Sequence, residues 1–396
     1  MTIDIRLMSE VIGGSLFDGD EMEATTYGGI ALGVGGVITL VLAWLADKTG
    51  RRWCLLISLV ICSLGNLLGC AMPNYLTYVL IMIVSNTGLE GVCLFSFIMM
   101  MEDSLETRTS FLPSLTLRTL LVCWSSLPLV IGQAITPLVA VGFNSWRVFQ
   151  AVISSIVLLT SVSWLGLKES RGWLDRRSPR ATERATAVVG NTEQRATDNT
   201  SPPSSCSSTR SMRSITLIVI FCSITIKMLF WRLTMSRDKI KITENVFLNS
   251  VILPFTRLPF LLLLPFLLDL LGRRPVFPLT QMVPAILCVL LGFLTPGSVL
   301  FAVITFLAWG TAVVAEKTSY IYIAELFSGA VRARAILTCI YLGRVVTSLV
   351  SGLPFNDTDK VPEYVPLLVV GIAGVVGGLV ALFLPETRGH RLPNRE

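Results

Sequence analysis

Residues 43–52 read Ala43-Trp44-Leu45-Ala46-Asp47-Lys48-Thr49-Gly50-Arg51-Arg52, and residues 269–274 read Asp269-Leu270-Leu271-Gly272-Arg273-Arg274. Each puts a carboxylate, a glycine and two arginines on a turn a few residues long, between two long apolar runs. Glycine permits the tight reversal. The carboxylate can face a helix N-terminus or an arginine, and the arginines can face helix ends or lipid phosphate. Taken singly, either turn is accounted for as a cationic anchor on one side of a bilayer. Recurrence at the same place in each half of the chain points to an internal repeat.

The composition around these turns agrees. Of 396 residues, 53% are hydrophobic and 15% are charged, against about 25% charged in an average soluble domain. That excludes a soluble enzyme, a disordered tail and a secreted disulfide scaffold, and leaves a polytopic membrane protein. A bilayer span takes roughly 20 apolar residues. Eleven apolar runs qualify, near 27–46, 53–72, 75–101, 117–141, 149–167, 214–231, 246–268, 275–294, 298–324, 334–353 and 365–384. Residues 1–26 form an external N-terminal segment without the pattern of a signal peptide. Residues 168–213 turn polar and contain the tract SPPSSCSSTRS, which reads as a flexible cytoplasmic linker. It divides a five-span bundle (27–167) from a six-span bundle (214–384), and 385–396 is a cytoplasmic tail.

Charge placement orients the chain. With the 47–52 turn in the cytoplasm, 21 Lys and Arg fall on cytoplasmic segments, 7 on external ones and 4 within spans. That satisfies the positive-inside rule, the basic 232–241 stretch being the poor fit. An external N-terminus and a five-plus-six division are both relieved if one further span belongs before Tyr27. Eight of the nine cysteines lie in apolar runs as small hydrophobes, there is no Cys-x-x-Cys pair and no P-loop, and His390 is the single histidine. No metal, cofactor, nucleic acid or enzymatic activity is expected.

The first turn resembles the Gly-x-Leu-Ala-Asp-x-x-Gly-Arg-Arg signature of the major facilitator superfamily, with Ala43 at the leading glycine. Further stretches resemble its organic ion transporter branch, the solute carrier family 22. They are Glu102 with Arg108, Trp146-Arg147-Val148-Phe149-Gln150, Glu169-Ser170-Arg171-Gly172-Trp173-Leu174, Tyr320 to Phe327 with Arg332, and Leu384-Pro385-Glu386-Thr387-Arg388-Gly389, in the family's order. The resemblance implies an all-α membrane protein of two pseudo-symmetric helix bundles, eleven of the usual twelve spans with the first one lacking. It implies a plasma-membrane carrier of small organic ions working by alternating access. It implies a cytoplasmic gate of Asp47, Gly50, Arg51, Arg52, Glu102, Arg108, Glu169, Arg171, Asp269, Gly272, Arg273, Arg274, Glu325 and Arg332. The chain departs from the family at Val84, where an arginine is usual, and at Ser328-Gly329, where Pro-Thr is usual. A non-transporting or truncated homologue is the alternative. A sugar porter is a weaker one, because 220–227 lacks the glutamines of that group.

Charges at bilayer depth cost about 2.5–3.5 kcal/mol on insertion scales, so they face a cavity or a partner. Arg344 lies mid-span. By resemblance, anion carriers hold an arginine there and cation carriers an acid; structural pairing with Glu316 is the competing reading. Lys227 lines a cavity or snorkels. Arg257, in Pro254-Phe255-Thr256-Arg257-Leu258-Pro259, sits in a kink whose freed carbonyls it can satisfy. Glu316 and Lys317 are neighbours pointing about 100° apart on a helix, so they are not expected to pair. Glu90, beside Gly91, is a candidate proton or cation partner, with a helix-contact role as the alternative. With Tyr320, Tyr341 and Trp124, the groups Arg344, Lys227, Glu316 and Arg257 form the candidate substrate site. Cations outnumber acids inside the spans, which favours an anion. Asn356-Asp357-Thr358 is an external glycosylation sequon.

Overall fold

The structure, a computed structural model, describes residues 34–35, 38–39, 41–72, 75–103, 120, 123–140, 142–143, 145–170, 173–174, 205–238, 240, 242, 246–295, 297–327, 331–351, 362 and 364–385. Eleven α-helices have defined bounds among them: α1 (Arg51–Gly69), α2 (Tyr75–Asp103), α3 (Leu127–Ala140), α4 (Trp146–Thr160), α5 (Ser205–Asp238), α6 (Val246–Phe255), α7 (Leu258–Leu271), α8 (Arg273–Leu291), α9 (Val299–Leu326), α10 (Arg332–Ser351) and α11 (Tyr364–Ala381). A further helical segment at 41–49 precedes α1. Eight helical stretches among the described residues are long and apolar enough to cross a membrane. Leucine, isoleucine and valine at 40–80% exposure on α7, α9 and α11, such as Leu263, Leu270, Val303, Val369 and Ile372, form the outer surface. Water would not tolerate so broad an apolar face, and lipid does.

The two turns that opened the sequence share one backbone conformation. Gly50 has φ 111 and ψ 156, Gly272 has φ 84 and ψ 176, and each caps the helix that begins with its two arginines. Only glycine adopts this region without strain. The repeat read from the two turn motifs is thus a repeat of torsion angles.

Within the first half, α1 lies flush on α2. A Cβ on Gly88 would stand 2.4 Å from the Cys62 backbone nitrogen, and one on Gly65 would stand 3.0 Å from Cα of Ser85. Lipid gives no hydrophobic drive between helices, so close backbone approach through small residues supplies dispersion contact instead. In the second half, α8 packs on α11 and α9, and α5 packs on α10, α9 and α11. The halves meet where α3 lies against α6 and α7, and where α10 lies against α2.

Two details differ from the hydropathy reading or refine it. The polar tract before residue 214 is not all linker, since α5 begins at Ser205, two residues after Pro203. Serine is tolerated in a first turn, so the helix can begin inside this tract. The span at 246–268 is two helices, α6 and α7, broken at Thr256-Arg257. Pro259 removes the N–H that would bond Phe255, and the Arg257 amide turns to the Pro254 carbonyl at 3.3 Å.

Candidate functional site

At the end of the bundles that carries the two glycine turns, charges are buried together. The Glu102 carboxylate on α2 is 1% exposed. It lies 3.4 Å from Nε of Arg51 on α1 and 3.5 Å from Nη1 of Arg332 on α10, and it accepts a hydrogen bond from the Ser170 hydroxyl. Both arginines are themselves 1% exposed. Arg51 also reaches Asp47 at 3.3 Å and donates to the Ala46 carbonyl at 3.2 Å. Arg332 donates through Nε to the Ala324 carbonyl at 2.8 Å. Taking ions out of water costs several kcal/mol each, which only such dense pairing offsets. Nearer the surface, Arg334 donates to Asp47 at 2.9 Å with 46% of its side chain exposed. The Glu102–Arg332 and Asp47–Arg334 pairs both join the first half to the second.

Glu169 does different work beside them. Its carboxylate accepts from the backbone N–H of Arg51 at 2.9 Å, of Arg52 at 3.1 Å and of Ser170 at 3.1 Å. It therefore caps α1 from 118 residues away and adds negative charge at the positive end of the helix dipole. Gly50 makes this possible, since a Cβ there would stand 2.4 Å from Oε2 of Glu169. Arg52 stacks on the Trp164 ring at 4.1 Å, and the Trp164 indole donates to the Arg52 carbonyl at 2.8 Å.

Deeper between the halves is a second charged group. Lys227 on α5 pairs with Glu316 on α9, and Arg344 on α10 pairs with Glu90 on α2. Both Lys227 and Lys317 approach the Tyr320 ring, at 5.4 and 5.5 Å. Phe97 of α2 meets the same ring edge-on at 5.6 Å, across the two halves. The Arg344 guanidinium is 5.6 Å from the ring centre of Tyr341, which is buried. A Cβ on Gly343 would stand 2.9 Å from Cγ of Lys227, so α5 and α10 are in close contact here.

The architecture has known counterparts. The model of the sugar (and other) transporter family matches residues 23–394. The chain belongs to that family. Its fold is that of the major facilitator superfamily: the proton:xylose symporter XylE of E. coli superposes with a TM-score of 0.74 at 18% identity, covering 98% of this chain and 92% of that one. Among curated relatives, rat solute carrier family 22 member 12 is 26% identical over 88% of this chain, and mouse solute carrier family 22 member 2 is 24% identical over 89%. The chain spans 65% of the length of each of these two relatives.

In this transporter-family chain the sequence candidates sort by place. Asp47, Arg51, Glu102 and Arg332 form one cluster, with Gly50, Arg52 and Glu169 beside it. Asp269 and Glu325 are half-buried and Arg274 is exposed at the second turn. Arg108, Arg171 and Asn356 lie outside the described residues, as does the Arg273 side chain. Lys227, Glu316, Tyr320, Tyr341 and Arg344 gather between the bundles. Trp124 packs on the core beside Cys123, and Arg257 lies 4.8 Å from the buried Trp309 ring, against which Arg237 also stacks at 4.1 Å. The partner considered for Arg344, Glu316, is on Lys227 instead; α9 packs more extensively on α5 than on α10. Arg334 and Ser170 went unselected. The Arg332-x-Arg334 spacing and the residue following Glu169 were the available signals.

The Lys227–Glu316 pair allows a direct test of its energetics. Lys227→Met leaves a buried carboxylate and is expected to lower the unfolding free energy by about 3 kcal/mol. Lys227→Met with Glu316→Met removes both charges and is expected to restore most of that loss. Thermal unfolding of the two purified variants in detergent checks it; equal losses would mean the pair is not coupled.

Proposed function

We propose that the chain carries small organic anions across the plasma membrane by alternating access, as facilitated diffusion or exchange. The observation that carries the reading is the charge between the bundles. Four cations, Lys227, Arg257, Lys317 and Arg344, stand in the spans against two acids, Glu90 and Glu316. The two acids are engaged by Lys227 and Arg344. An excess of positive charge in a low-dielectric cleft is what an anion neutralises, and arginine matches a carboxylate with two parallel N–H bonds. The cross-half pairs of Glu102 with Arg332 and Asp47 with Arg334 then serve as the lock that closes the cytoplasmic end while the cavity faces outward. Lipid and a small organic ion are the partners this reading needs.

Uptake into proteoliposomes tests it, with benzoate, tetramethylammonium and D-xylose as an anion, a cation and a neutral sugar. Benzoate is expected to accumulate, and Arg344→Ala to cut its uptake about tenfold or more, with Arg344→Lys retaining part of it. Accumulation of tetramethylammonium or xylose without benzoate overturns the anion assignment.

A further inference from the structure

Glu90 and Arg344 come from opposite halves, α2 and α10, and meet between them. Glu90 is 8% exposed as a residue, whereas 26% of the Arg344 side chain is open. The Arg344 side chain is thus partly open although a carboxylate of the protein is already paired with its guanidinium. The remaining charges around the cleft are arranged differently. Lys227 and Glu316 satisfy each other within the second half, and Lys317 rests near Tyr320. Along α2, Cys93 follows Glu90 by three residues and Phe97 by seven, so all three share one helix face. That face looks onto the second half, since Phe97 meets Tyr320. Cys93 is exposed; among the other described cysteines Cys70 is half-buried and the rest are buried.

An arginine already paired with a carboxylate offers an incoming anion little unbalanced charge. An anion that binds it must first remove the resident group. We propose that Glu90 is a specificity-determining residue, a tethered carboxylate that fills the Arg344 site in the empty carrier and that substrate displaces. The proposal rests on the anion reading above and deepens it. Exchanging one carboxylate for another at Arg344 leaves the pairing nearly unchanged, so the rest of the ligand must supply the net affinity. Small inorganic anions lack that remainder and lose the competition, which is specificity by an internal rival. Displacement also releases a contact between the two halves, so occupancy of the site is linked to their freedom to move.

The test uses two readouts on the full chain. The first is benzoate uptake. Glu90→Gln is expected to lower KM about tenfold, because the resident competitor has lost its charge. Glu90→Asp, one methylene shorter and still charged, is expected to lower it less, and serves if the glutamine variant does not fold. The second readout needs no transport: the rate of Cys93 modification by the anionic 2-sulfonatoethyl methanethiosulfonate relative to its cationic trimethylammonioethyl analogue, with Cys93→Ser as the blank. That ratio is expected to rise about tenfold in Glu90→Gln as Arg344 is unmasked. An unchanged ratio, or an unchanged or raised KM in both Glu90 variants, overturns the proposal. If the unaltered chain takes up no benzoate while the ratio still rises, the masking stands and the transport assignment fails.

Discussion

Glu102→Ala is expected to lower the unfolding free energy by about 3–5 kcal/mol, because it leaves the buried guanidinium groups of Arg51 and Arg332 without the carboxylate between them. Their mutual repulsion pushes α1 and α10 apart, and this should show as access. Cys54, fully buried one turn into α1, is expected to become reactive toward a membrane-impermeant maleimide added on the side that carries the two glycine turns. Glu102→Asp, which keeps the charge, should lose less. Arg334→Ala is the contrast: its pair with Asp47 is half open to solvent, and exposed pairs contribute about 0–1 kcal/mol. Thermal unfolding and maleimide labelling on the three variants separate a buried lock from a surface contact. Equal effects of Glu102→Ala and Arg334→Ala would assign the lock to the surface pair.

Gly50→Ala is expected to cost about 2–4 kcal/mol. The φ of 111 with ψ of 156 accounts for about 1–3 kcal/mol of strain. The new methyl would also meet Oε2 of Glu169 at 2.4 Å, which forces the carboxylate off the α1 N-terminus and forfeits about 1 kcal/mol of capping. Gly272→Ala carries the same torsional strain at φ 84. Adding Glu169→Ala separates the two terms, since with the cap already gone, Gly50→Ala should cost only its torsion. Unfolding free energies of Gly50→Ala, Glu169→Ala and the double variant form the cycle that measures this.

Much of this architecture was legible before any coordinates, for identifiable reasons. Apolar runs of span length have one stable outcome in a bilayer, because every backbone N–H and C=O must be satisfied within the segment. The two glycine turns announced the repeat, because a side chain at φ near 100 is strained and the residue type follows. Asp47, Arg51, Glu102 and Arg332 could be named because each stands at a span end, where sequence position nearly fixes location. Deeper in the spans position fixes only depth. Which acid meets which base depends on helix rotation and on neighbours far along the chain. Glu90 meets Arg344 and Glu316 meets Lys227, although Glu316 and Arg344 were an equally plausible pair by charge and depth alone. Trp309 shows the same limit. Its fully buried ring collects Arg237 from the end of α5 and Arg257 from the break between α6 and α7, and no spacing rule brings those two arginines together.

The cap on α1 sets an order in time. Its acceptor, Glu169, is made 118 residues after the amide it holds. At about 5–20 residues per second of synthesis, the α1 N-terminus waits about 6–24 s for it. By then α2, α3 and α4 have all been synthesised. The α1 N-terminus is thus capped only after every helix of that half has been translated.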